Sequence, residues 1–322
     1  MLVSIVIPTR DRPRLLAEAI EGVKSQTYQD IEVVLVDDGS SDENAKINQS
    51  LLADANLRYQ YIYLDGASVS RRGPGSSRNI GIQKSTGDLV GFCDDDDHWC
   101  EPEYLSTMMA AFAADPELDM TFANQIAKTG DKVSYDVWMP KLASIVQSRL
   151  TQPDSLVEIS RAECLSQSGD FGHLNTCIFR KPLLTEIGNF NTFRYSSDQD
   201  MFVRAADRSR KIMYLHKPVS VHNIPDHAKG QNVTTRLNLF QKNVTLFEIA
   251  VHLLGHCQSP EARAYARELA STSCRHLCQQ EKNAGAYKDA LLWAKLAWSW
   301  NPTAKWSLYL MLIWMKSIVS PR

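Results

Sequence analysis

Val3 to Ile7 is a nearly unbroken apolar run closed by Pro8, and a second run, Ile31 to Val36, empties into Asp37-Asp38-Gly39-Ser40-Ser41-Asp42. Strands without polar alternation have no solvent face, so the sheet they enter must be covered on both sides. Between them, Leu15 to Val23 carries apolar residues at helical spacing. Leu57 to Leu64 supplies a third strand, a helix follows from about Arg78 to Lys84, and Asp88 to Cys93 is a fourth strand. This alternation predicts an α/β fold: a Rossmann-like, mostly parallel sheet with helices on both faces, whose ligands bind beyond the carboxyl ends of its strands.

The pattern weakens from Thr121 to Phe171, with a kink at Trp138-Met139-Pro140 and a helix near Leu142 to Leu150. Thr176 to Phe179 then reads as a strand and Lys181 to Glu186 as a short helix ending at Gly188. Asp198 to Arg208 is an amphipathic helix, and Lys211 to Leu215 and Val219 to Val221 return to strand. Beyond 232, strand signals fade and helices are expected at 235–255, 260–281, 286–299 and 303–318. We therefore expect a main domain over 1–231, divided into halves 1–100 and 101–231, and a C-terminal α-helical region over 232–322.

Across 322 residues, 35 lysines and arginines nearly balance 37 aspartates and glutamates, so net charge recruits no nucleic acid. The seven cysteines are odd in number and scattered, unlike a secreted disulfide framework, and no leader pattern precedes Val3. A cytoplasmic protein is expected.

Phe92-Cys93-Asp94-Asp95-Asp96-Asp97-His98-Trp99 puts four carboxylates directly after a buried strand. Their mutual repulsion must be relieved by hydrogen bonds, by solvent or by a cation. Hard oxygen ligands suit Mg²⁺ or Mn²⁺, whose shell a diphosphate would complete; the bland alternative is a solvated acidic turn. Gly73, Gly75 and Gly81 permit close backbone approach, and Arg78 and Asn79 open a helix whose N-terminal amides can face an anion. These glycines do not lie in the first strand-to-helix turn, which disfavours a dinucleotide fingerprint.

Taken in order, Val3-Ser-Ile-Val-Ile-Pro-Thr-Arg, Val34-Leu-Val-Asp-Asp-Gly-Ser-Ser-Asp, Ser77-Arg-Asn-Ile-Gly and the acidic run resemble the family 2 glycosyltransferases of the GT-A fold. A fifth motif, Ser197-Asp-Gln-Asp-Met-Phe-Val-Arg204, extends the resemblance past residue 200. The resemblance implies an inverting, metal-dependent enzyme that moves a sugar from a nucleotide-sugar donor to a glycan or lipid-linked glycan acceptor, in bacterial cell-surface polysaccharide or lipopolysaccharide synthesis. It places Asp38, with Asp37 nearby, on the donor base and ribose, and Pro8, Thr9 and Arg10 along the same pocket. A carboxylate there can accept the uracil N3 hydrogen, so a UDP-sugar is expected. Asp94, Asp95 and Arg78 join the donor-contacting set, Asp96 becomes the metal contact, and Asp198 the base that deprotonates the acceptor hydroxyl. The weakly patterned segment 121–175 is expected to form the acceptor side. Ser197 departs from the family's common Glu-Asp form, leaving Asp198 to act alone or its acidic neighbour to have been supportive.

Plainer roles stand beside these. Asp37 and Asp38 also suit a turn with helix capping, and Arg204 is spaced to pair with Asp200 across one helical turn. His227, in His222-Asn-Ile-Pro-Asp-His, is a second candidate metal ligand; His222 is a weaker one, and His173 a candidate for the acceptor side. Cys274 and Cys278 lack a second ligand pair at zinc spacing and are expected to pack within a helix.

Asn283 to Ala297 resembles half of a tetratricopeptide-type helical pair. Trp306 to Met315 is apolar but far shorter than the roughly 20 residues a membrane crossing requires. Lys305, Lys316 and Arg322 flank it, and Trp306, Tyr309 and Trp314 lie within, so a peripheral membrane contact through 303–318 and packing onto the main domain are both open. Two rival functions remain at this level: a sugar nucleotidyltransferase, which would need a basic glycine loop after the first strand, and a non-catalytic binding or scaffold protein with a decayed transferase domain.

Overall fold

Ten strands carry the structure, a computed structural model that describes residues 1–65, 73–150, 152, 155–224 and 233–319. They are β1 (Val3–Thr9), β2 (Ile31–Asp37), β3 (Arg58–Tyr63), β4 (Leu89–Phe92), β5 (His98–Trp99), β6 (Leu118–Thr129), β7 (Lys132–Tyr135), β8 (Leu156–Ile159), β9 (Ile178–Arg180) and β10 (Lys211–Asn223). All join one sheet in the order β3-β2-β1-β4-β9-β6-β10-β5, with β7 on β6 and β8 on β10.

Side chains alternate across this sheet with period two, and both sides carry a core. Val6, Val34, Val36 and Phe92 belong to one apolar cluster, while Val3, Ile5, Ile7, Val33 and Leu35 belong to the other. That is why the strands read as continuous apolar runs. The helix Pro13–Lys24 lies so close to β5 that a Cβ on Gly22 would stand 2.8 Å from the Trp99 backbone nitrogen.

Pairing is parallel over β3-β2-β1-β4 and becomes mixed beyond it. The short β9 runs antiparallel to both β4 and β6, and β10 runs parallel to β6. Two reversals restore the original direction. The carboxyl ends of β1, β2, β4 and β10 therefore lie along one edge of the sheet.

β6 is a twelve-residue, largely buried strand inside the segment whose pattern is weakest. Its inward polar residues mask it: Asp119 pairs with Arg210, and the Asn124 side-chain oxygen accepts the Trp138 N–H at 2.8 Å. β10 joins the two expected strands into one, with register shifts around Pro218.

The C-terminal helices fall at Leu239–His256, Pro260–Asn283, Tyr287–Trp300 and Ala304–Val319. The first two grip the helix Ser197–Arg208. His252 Nδ1 lies 2.7 Å from Asp200 Oδ1, the Tyr265 hydroxyl accepts from Gln199 Nε2 at 2.7 Å, and Asp207 accepts the backbone N–H groups of Gln258 and Ser259 at 2.9 Å each. Ile249, Leu253, Tyr265 and Ala266 share a core with Met201 and Phe202. The last two helices pack against the end of Pro260–Asn283 in a small separate cluster of Cys278, Ala290, Ala294 and Ile313, which accounts for Cys278 as a packing residue.

Asp200 is fully buried between Arg204, which donates to it at 2.7 and 2.9 Å, and His252. Arg204 also donates to the Ile187 and Asn189 carbonyls, closing the end of the helix Lys181–Ile187. Asp200→Ala strands a buried guanidinium and is expected to lower unfolding free energy by about 3–5 kcal/mol in denaturant titration.

Candidate active site

At the shared sheet edge, the loops after β1 and β2 are stitched together. Asp11 adopts a left-handed backbone conformation, its carboxylate accepts the Ser41 N–H at 2.8 Å and the Asn44 amide at 3.0 Å, and its own N–H donates to Ser40 Oγ at 2.8 Å. Asp37 is buried and saturated, accepting from the Ser40 N–H, the Asn48 amide and the Tyr61 hydroxyl at 2.8–2.9 Å. It builds the turn. Asp38 is half-buried, donates its N–H to the Thr9 carbonyl, and approaches the Gly73 N–H at 3.4 Å. Pro8 is buried in β1, and Arg10 is partly exposed with its Nε 3.8 Å from the Asp11 carboxylate.

Each carboxylate of the acidic run has a different environment. Asp94 pairs with Arg78, from the first turns of the helix Pro74–Lys84, and its N–H donates to the Asn175 side chain at 2.9 Å. Burial opposes the Asp94 charge, but Arg78 outweighs it and holds the carboxyl below its usual range. Asp95 accepts from Thr9 Oγ1 at 2.8 Å and from Arg12 at 3.1 Å, yet burial still pushes it up to about 6. Asp96 shares Arg12 at 3.0 Å; burial and repulsion from Asp97, Asp95 and Asp94 push it up to about 7. Asp97 accepts from the Asn175 amide and, at 2.7 Å, from the Asn223 N–H, and it stands 2.8 Å from His222 Nδ1.

Burial disfavours charge on His222, but Asp97 overrides this and raises the imidazole to about 9. His173, whose ring lies 4.5 Å from that of His222 at a 43° tilt and edge-on to Trp138, is pushed down by burial. Ligand-capable atoms of Asp97, His173 and His222 lie within 4.8 Å of one another.

Asp198 occupies the first turn of the helix Ser197–Arg208, directly after Ser196, which is held left-handed at φ 57°. Its carboxylate takes no hydrogen bond from the described residues, and its charge is felt at Arg78, His173 and Tyr195. Gly75 makes this proximity possible: a Cβ there would stand 3.2 Å from the Asn191 carbonyl and 3.7 Å from Ser197 Oγ. A cavity of about 420 Å³ opens between Thr192–Arg194 and the helix Leu239–His256, walled by Phe193 and Phe240.

The sequence candidates Thr9, Asp38, Arg78, Asp94, Asp95, Asp96 and Asp198 thus meet at one edge, with Pro8, Arg10 and Asp37 supporting it. His227 lies outside the described residues. Two participants were not singled out in the sequence. Arg12 links Asp95 to Asp96 from the first strand-to-helix turn, and its only signal there was a basic residue in a loop at a strand end. Asn175 ties Asp94 to Asp97 from a segment with no motif.

Residues 4–200 match the family model described as glycosyl transferase family 2, a span that holds every one of these aspartates. The chain belongs to glycosyl transferase family 2. It is 27% identical over 299 residues to the GalNAc(5)-diNAcBac-PP-undecaprenol beta-1,3-glucosyltransferase of Campylobacter jejuni, covering 91% of this chain and 83% of that protein. An uncharacterized glycosyltransferase of Haemophilus influenzae is 34% identical over 96 residues, 30% of this chain and 36% of that one.

Among solved structures, S. aureus TarS 1-349 in complex with UDP-GlcNAc superposes with a TM-score of 0.66 at 19% identity, covering 93% of this chain and 80% of that one. The mannosyltransferase PcManGT from Pyrobaculum calidifontis, in complex with GDP-Man and Mn²⁺, gives 0.58 at 18%, covering 98% and 86%. The fold is therefore GT-A, with helices appended at its C-terminus.

Proposed function

We propose that the chain is an inverting glycosyltransferase that moves a sugar from a UDP-sugar to a hydroxyl of a glycan or lipid-linked glycan in bacterial cell-surface polysaccharide or lipopolysaccharide assembly. The observation that carries this reading is the Asp198 carboxylate, which takes no hydrogen bond from the described residues and is held near Arg78 by a helix anchored at Asp200 and Asp207. Asp38 accepts from the uracil, and Thr9, Arg10 and Asp37 shape the pocket around it. Asp94 lies toward the ribose, and Arg78 and Asp95 complete the donor contacts.

The donor set fits a hard divalent cation, because Asp96 sits among three other carboxylates whose repulsion Arg12 leaves only partly relieved. Asp96 would hold Mn²⁺ or Mg²⁺, which when bound neutralises charge on a departing diphosphate. Asp198 takes the proton of the acceptor hydroxyl as its oxygen bonds to the anomeric carbon, on the face opposite the breaking bond to UDP. UDP departs and the sugar is joined to the acceptor with inverted configuration. Residues 1–100 form the donor half and 101–231 the acceptor half; within 232–322 the first two long helices hold Asp198 in place.

The C. jejuni relative's undecaprenol-linked substrate supports a lipid-linked acceptor, and the TarS complex supports a UDP-sugar. UDP release measured over UDP-hexoses, UDP-N-acetylhexosamines and GDP-mannose, with Mn²⁺ and with EDTA, tests the reading. Turnover of a UDP-sugar that stops in EDTA is the expected result. GDP-mannose as the preferred donor, or turnover indifferent to EDTA, would overturn it.

A further inference from the structure

We propose that the helix Ala304–Val319, with the adjoining face of Tyr287–Trp300, is a docking surface for an anionic lipid bilayer. The helix buries a narrow stripe: Ile313 and Ser317 are covered, and Trp306, Tyr309 and Leu310 pack against the helices beside them. Most of the rest of its surface is apolar and bare. Leu308, Met311, Leu312, Trp314, Met315 and Ile318 are each 48–66% exposed. Leu292, Leu296 and Trp298 of the preceding helix, 40–60% exposed, extend the apolar surface. A soluble surface seldom shows so many large apolar side chains on neighbouring helices unless something covers them.

Charge selects the occupant. From Tyr287 to Val319 the chain carries Lys288, Lys295, Lys305 and Lys316 against one acid, Asp289, a net of +3 in a protein whose total is −2. All four lysines are exposed. Two copies meeting through this face would bring like charges together, whereas anionic headgroups complement them. No described helix is long and apolar enough to cross a membrane, so the helix lies in the interface plane with its lysines at headgroup level. Trp314 and Trp298 have the amphipathic rings suited to that depth.

Flotation of the full chain with vesicles tests this, comparing phosphatidylcholine alone with phosphatidylcholine plus phosphatidylglycerol. The parent is expected to float with the anionic vesicles only, and to be released by salt. Lys305→Gln/Lys316→Gln is expected to weaken partitioning roughly fivefold per lysine, and Leu312→Asp/Met315→Asp to abolish it. Circular dichroism verifies folding, and UDP release from the same preparations reports separately on donor chemistry. Failure of the parent to float, or flotation unchanged in the Leu312→Asp/Met315→Asp variant, would overturn the proposal. So would a concentration-dependent dimer in light scattering that the same variant dissolves, since the face would then belong to a second copy.

Discussion

Asp198→Asn is expected to lower kcat by roughly 10²- to 10⁴-fold, the usual worth of a general base. The substitution keeps the volume and polarity of the side chain and removes only its capacity to accept a proton. No hydrogen bond from the described residues ends on this carboxylate, so the helix Ser197–Arg208 keeps its anchors at Asp200 and Asp207. The melting temperature should therefore stay at the parent value. UDP binding, followed calorimetrically, should change by no more than about twofold, because the lost interaction develops only as the acceptor loses its proton. A variant with parental kcat would remove Asp198 from the chemistry. One with weakened UDP binding and unchanged kcat would reassign it to the donor.

Asp96→Ala is expected to reduce Mn²⁺-supported turnover by roughly 10³-fold or more, since a cation's stabilisation of a leaving diphosphate is worth several kcal/mol. The fold should tolerate the change. Arg12 retains Asp95 as a partner, and removing Asp96 relieves repulsion within the run rather than stranding a cation. The metal-free variant should melt at or above the parent temperature, and the upward shift that Mn²⁺ plus UDP produces in the parent should be absent. An undiminished Mn²⁺ response in this variant would place the cation elsewhere, and the Asp97, His173 and His222 cluster would then be the next set of ligands to remove.

Elements that depend on local pattern were legible in the sequence. β1 and β2 follow from unbroken apolar runs, and the four C-terminal helices begin and end within a few residues of the expected limits. The Arg204 to Asp200 pair follows from helical spacing alone. What stayed hidden depends on partners far along the chain. The segment holding β6 looks irregular until Arg210 and Trp138 arrive to satisfy its buried Asp119 and Asn124. Arg12 is an ordinary loop arginine until the fold brings residues 83 and 84 positions away against it. His222 meets Asp97 across 125 positions, and His252 meets Asp200 across 52. The family motifs mark which carboxylates gather at the edge; the division of labour among them, with Asp37 saturated and Asp95 tied to Thr9, required tertiary contacts.

The position of β9 also bears on how this chain emerges from the ribosome. β4 sits at the middle of the finished sheet, but its neighbour on one side, Ile178–Arg180, is synthesised some 85 residues later than Leu89–Phe92. Until then β4 is an unpaired, apolar edge on a nascent chain already able to pair β1, β2 and β3. Domains of this size wait on such late pairings, and open edges are where nascent chains associate wrongly. At about 5–20 residues per second the exposure lasts roughly 4–17 seconds, long enough for a chaperone to engage.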